Sequence, residues 1–166
     1  MVWGRGWMAR RADQSARSTP EVATEGIKSE GMQTNAGGQG AVAAGKARVH
    51  YFTKDALTAC STETVAFEQD IDAKYGHQGA GALVAMTLPL PAGTPDTYVS
   101  ALPSGTRLLT MRIDRDGVAH ADYNGNLNNA VEGCAKAERR AQIESTLREF
   151  PEIKSVVITV EGKVWE

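Results

Sequence analysis

No stretch of this 166-residue sequence approaches the roughly 20 consecutive apolar residues of a membrane-spanning helix, which excludes a helical span. Basic residues are not in excess either. The 18 Lys and Arg are well mixed with 20 Asp and Glu, and they form no stripe and no cluster interleaved with aromatics, so nucleic acid is an unexpected partner. The opening "MVWGRGWMARRADQ" has the arginines of a signal-peptide n-region but no apolar h-region, and as written it does not read as a secretory signal. Its Trp3 and Trp7 are spaced for one side of a short interfacial helix, although a frayed terminus or a misplaced start codon is the favoured explanation. From Arg10 to Gly45 the longest apolar run is "AVAA", and Gly, Ser, Thr, Gln, Glu and Ala dominate. Such a segment does not bury enough apolar surface to offset its ordering entropy, so residues 1–46 read as a disordered tail or linker and 47–166 as one folded domain.

Within the folded part, "RVHYFT" (48–53) alternates and is rich in β-formers, which predicts a first strand. "TETVAFEQDI" (62–71) reads as a weaker second strand. "GHQGAGALVAMTL" (76–88) has near-helical apolar spacing, with three glycines at its start and Pro89, Pro91 and Pro95 after its end. "TRLLTMRID" (106–114) and "VAHADYN" (118–124) flank a D-G turn and predict a β-hairpin. "KAERRAQIESTLREF" (136–150) places Ile143, Leu147 and Phe150 at i, i+4, i+7, the stripe of an amphipathic helix that Pro151 stops. The final strand, "IKSVVITV", has in Val156–Val160 the near-continuous apolar run of a strand buried on both faces in mid-sheet. The order β-β-α-β-β-α-β implies an α+β domain with two helices packed on one face of a mixed sheet.

Candidate chemistry is sparse. "GAVAAGKA" (40–47) follows the phosphate-loop spacing, but Ala47 stands where a magnesium-binding hydroxyl belongs, and the segment leads into a strand rather than a helix. "GHQGAG" (76–81) lacks dinucleotide-loop spacing. The histidines, His50, His77 and His120, fall on three different elements. His120 and Asp122 share a strand face and could form half of a metal site; the plainer reading is a solvated face, with Ala119, Ala121 and Tyr123 turned to the core and no third ligand identifiable. Ser61, Ser100, Ser104 and Ser145 lie in no nucleophile elbow, and Asp114 and Asp116 suit turn chemistry. No nucleophile, base and metal set assembles, so neither enzymatic activity nor a cofactor is expected. Cys60 and Cys134, 74 positions apart, both precede regular elements. A bridge between them would stabilise by on the order of 4 kcal/mol in the chain-entropy model, and two buried free thiols are an equal alternative.

The strand "VHYFTKD", the Cys60 that follows it, "ALPSGTRLLTMRIDRDGVAHADYNGNL" and "GCAKAERRAQIESTLREFPEIKSVVITVEGK" resemble, in that order, the GerMN (sporulation and spore germination) domain family over nearly all of residues 47–164. Lys136 and Arg139 depart from it, standing where aliphatic residues are common and narrowing the second helix's apolar face. The resemblance implies a fold similar to the ring-building domains of secretion systems and a Cys60–Cys134 disulfide. It further implies an extracytoplasmic place in the cell envelope or outside it, and non-catalytic assembly with other envelope proteins. Membrane proximity would then come from an anchor this sequence does not display. A rival class is a binding domain for a cell-wall or small-molecule component, with backbone approaching the ligand at Gly76–Gly81.

Overall fold

The computed structural model describes residues 45–166, so the tail reading for positions 1–44, including Trp3 and Trp7, lies outside the described residues. Strand β1 (Gly45–Thr53) begins two residues inside the segment read as tail. Thr53 ends it and caps the short helix α1 (Lys54–Thr58), its hydroxyl accepting the Ala56 N–H at 3.1 Å. Then come β2 (Val65–Ile71), helix α2 (Gln78–Thr87), a two-residue β3 (Tyr98–Val99), the hairpin β4 (Leu108–Ile113) and β5 (Val118–Tyr123), helix α3 (Ala135–Arg148), β6 (Ser155–Val160) and a two-residue β7 (Lys163–Val164).

The expected α+β class holds, and all the described residues fall in one compact unit. The strands, however, divide into two sheets rather than one. The first is antiparallel, in the order β2-β1-β3; the second is mixed, in the order β4-β5-β6-β7. The division arises because β1 takes both its neighbours from segments that precede the β4–β5 hairpin, β2 through seven residue pairs and β3 through Phe52–Val99 and Thr53–Tyr98. The helices join the sheets: α2 touches β1, β2 and β4, and α3 touches β1 and β6.

Side-chain alternation decides which face of each sheet meets the helices. In β1, Ala47, Val49 and Tyr51 are buried; in β5, Ala119, Ala121 and Tyr123 are buried, while Val118, His120 and Asp122 are half-exposed on the other face, as their spacing predicts. Strand β6 runs parallel to β5, and α3 supplies the crossover such a pair needs. The expectation that β6 is buried on both faces is corrected. Ile158 and Val160 are buried beside Ala121 and Tyr123, whereas Val157 and Thr159 turn to the opposite face, where their partners His120 and Asp122 on β5 are half-exposed as well. Ile143 and Leu147 of α3 and Leu83 and Met86 of α2 complete the core.

Two local devices fix these elements in place. Helix α2 begins poorly by propensity, but the His77 ring caps it by accepting the Gly79 N–H at 2.9 Å, and Gly81 lets the helix lie close on β2, where an added Cβ would come 3.1 Å from Ile71. At the hairpin turn the Asp114 carboxylate accepts the N–H groups of Val118 and Asp116, and these bonds, with the nearby His120, hold its pKa below the usual carboxylate range. Gly117 adopts φ +84°, and its carbonyl accepts the Lys154 N–H at 2.8 Å, which ties the turn to the start of β6.

Ile143→Ala and Ile158→Ala should each lower stability by roughly 2–5 kcal/mol in equilibrium denaturation, since both side chains are buried in the shared core. Gly117→Ala should cost about 1–3 kcal/mol, because the left-handed backbone is strained for alanine and its Cβ would stand 2.7 Å from the Glu152 carbonyl oxygen. A denaturation midpoint unchanged by Gly117→Ala would contradict that account of the turn.

Candidate functional site

Helix α3 carries a row of buried polar side chains, Arg139, Gln142 and Thr146, beside its apolar stripe. The Arg139 guanidinium donates to three carbonyls: Leu127 at 2.6 Å, Ala130 at 3.1 Å and Ala101 at 3.2 Å. Burial lowers its pKa, but a guanidinium stays charged, and the three carbonyl dipoles replace the water it has lost. One turn on, the Gln142 carbonyl accepts the Ala101 N–H at 2.7 Å, and its amide meets the Ser100 hydroxyl at 3.2 Å. The Thr146 hydroxyl accepts the His50 N–H at 3.1 Å and points to Met86 Sδ. Arg139 thus does not simply narrow the apolar face of the helix. It organises the loops before β4 and after β5.

All three histidine rings have carboxylate partners. His50 lies between Thr64 Oγ1 and Glu149, both at 2.8 Å; His77 Nε2 is 3.1 Å from Glu152; and His120 Nε2 is 3.3 Å from Asp114. The hydroxyl–imidazole–carboxylate row Thr64–His50–Glu149 superficially resembles a catalytic relay, yet it joins β1, the loop before β2 and the end of α3, and neither depression described below reaches it. The proposed half-site at His120 and Asp122 does not form, because Asp122 Oδ1 accepts the Thr159 hydroxyl at 2.6 Å and the Gly162 N–H at 2.9 Å. Of the phosphate-loop match, Gly45, Lys46 and Ala47 lie in extended strand β1, where no anion cradle can form.

Cys60 and Cys134 are joined in a disulfide, with Cα atoms 5.4 Å apart. Cys60 is exposed at φ +56° just past α1, and Cys134 is half-buried at the start of α3, so the bridge ties the end of one helix to the beginning of another. Beside it, at the position one turn into α3, lies the buried Glu138, with Oε1 unpaired.

Two depressions lie on the surface of the described residues. One of about 350 Å³ is lined by Met86, Leu88, Ser100, Leu102 and Ser104; another of about 380 Å³ by Asn128, Glu161, Lys163 and Trp165. Neither borders Gly76–Gly81. That backbone does approach something closely, but what it approaches is the protein itself: Gly79 packs against the His77 ring and Met111, and Gly81 against Ile71.

Arg139→Met should cost roughly 2–5 kcal/mol, since it strands the buried Leu127 carbonyl and releases those of Ala101 and Ala130, and Arg139→Lys should recover only part of the loss because an ammonium lacks the planar fork. Chemical denaturation of both variants checks this. A loss under about half a kcal/mol for Arg139→Met would mean that the loops do not depend on the clamp.

Comparison with known proteins sets this architecture in context. No curated protein sequence matches the chain. Among solved structures, the first GerMN domain of the sporulation protein GerM from Bacillus subtilis is similar with a TM-score of 0.59 at 20% identity, over 73% of this chain and 86% of that one. The tandem GerMN domains of the same protein match with a TM-score of 0.59 at 19% identity over 74% of this chain, which spans only 41% of the tandem structure. At these identities the likeness is one of fold. The sequence model of the family Germane, described as sporulation and spore germination, matches residues 48–166, and by that match, well over half its length, the chain belongs to the GerMN family.

Proposed function

We propose that this domain is a non-catalytic binding module that acts outside the cytoplasm by docking with other proteins of the bacterial cell envelope. The observation that carries the reading is the Cys60–Cys134 bridge. Its exposed half would be reduced by cytosolic thiol systems and persists in an oxidising compartment. Docking rather than turnover is supported by histidines already committed to structural partners and by strands β2 and β4, each of which pairs on one side only among the described residues. Membership of a sporulation and germination family makes envelope proteins of that process the natural partners.

Protein exported to a bacterial periplasm should show a two-hydrogen mass deficit, and reductant should lower its melting temperature; two freely alkylatable thiols after export would overturn the location. Light scattering combined with capture from envelope extract should then yield a defined protein complex. Binding of a soluble cell-wall fragment in the absence of any protein partner would instead favour a ligand-binding role.

A further inference from the structure

We propose that reduction of the Cys60–Cys134 bridge converts this corner of the domain into a divalent-cation site, formed by two thiolates and the Glu138 carboxylate and suited to zinc. The proposal is separate from the docking role, whose oxidising compartment keeps the bridge closed, and concerns the domain when a reductant reaches it. The two sulfurs and a carboxylate oxygen of Glu138 lie within 4.8 Å of one another. Tetrahedral zinc, with Zn–S near 2.3 Å and Zn–O near 2.0–2.2 Å, asks for ligand atoms roughly 3.5–4 Å apart, so the two sulfurs, bonded to each other here, have to separate on reduction while Glu138 already stands within reach of both.

The second observation is Glu138 itself. Its side chain is 7% exposed, and its Oε1 is buried without a hydrogen-bond partner, an arrangement that costs free energy unless a cation or donor arrives. Cys134 and Glu138 are four residues apart at the start of α3, so they share a helix face, and the free backbone N–H groups there favour negative charge. Cys60 is the adjustable member. It is exposed, follows α1 in a single left-handed residue, and can move outward as the sulfurs separate. Two soft thiolates with one carboxylate select zinc over calcium or magnesium, and water would fill the fourth position.

The redox step balances with a dithiol reductant. Its two thiols become a disulfide, delivering two electrons and two protons that break the Cys60–Cys134 S–S bond into two thiols. Zinc uptake then releases both thiol protons to solvent, and while the disulfide is intact its sulfurs are not available as thiolate ligands. The cation would replace one link between α1 and α3 with another, so the corner stays closed in either redox state.

The test uses the full chain, reduced anaerobically with a phosphine and titrated with Co²⁺ and then Zn²⁺. The reduced chain should take up one cobalt with thiolate charge-transfer and tetrahedral d–d bands, lose them on zinc addition, and melt at a higher temperature with zinc than without. The oxidised chain should show none of these. Glu138→Gln should weaken uptake by more than the roughly 10- to 100-fold that loss of an outer-shell partner costs, and Cys60→Ser should remove the two-thiolate spectrum. Failure of the reduced chain to bind cobalt at one per chain overturns the proposal. So does equal affinity in Glu138→Gln, or binding that persists after circular dichroism shows the chain unfolded.

Discussion

A single buried cation determines the shape of much of this domain. The Arg139 guanidinium sits where a bundle helix would ordinarily place an aliphatic side chain, and it is tolerable there only because three carbonyls from two separate loops converge on it. The dependence runs both ways. Those carbonyls belong to irregular backbone with no ladder to satisfy them, so the loops before β4 and after β5 take their conformation from the helix they cover. Gln142 repeats the device one turn later with the opposite polarity, accepting an N–H where Arg139 donates to a carbonyl.

Helix α3 is consequently a hub more than an amphipathic cover. Its start is covalently tied to the end of α1, its middle holds the loops, and its last turn presents Glu149 to His50 and Arg48 of β1, with Glu152 just beyond meeting His77 at the cap of α2. Ile143 and Leu147 supply the apolar contact, but the orientation of the helix is over-determined by directional polar bonds.

What the sequence made legible was local. The hairpin with its D-G turn, the Ile143 and Leu147 stripe of α3 and the inward set Ala119, Ala121 and Tyr123 all follow from spacing over a few residues and lie where spacing puts them, while Phe150, expected on the same helix, is buried just past its end at Arg148. The split into two sheets was not legible, because it turns on a two-residue pairing of β1 with β3 that leaves no periodic trace. Nor was the half-exposure of β6, whose apolar run is the same whether one face or both are covered. The polar contacts were hidden for a different reason: His50 meets Glu149 across 99 positions and Arg139 meets Ala101 across 38, and nothing local in either residue announces its partner. The cysteine pair was a borderline case, undecidable from spacing and settled by Cα atoms 5.4 Å apart.

The strand order β2-β1-β3 has a kinetic corollary. The first described strand to leave a ribosome or a translocation channel is the central one of its sheet, and Val49, Tyr51 and Phe52 on it are completely buried in the finished domain. Part of that burial comes from α3, about ninety residues downstream, so even after β2 and α2 have emerged the apolar face of the nascent strand is only partly covered. The last contacts that close this core therefore form only after α3 has followed, whichever compartment receives the chain.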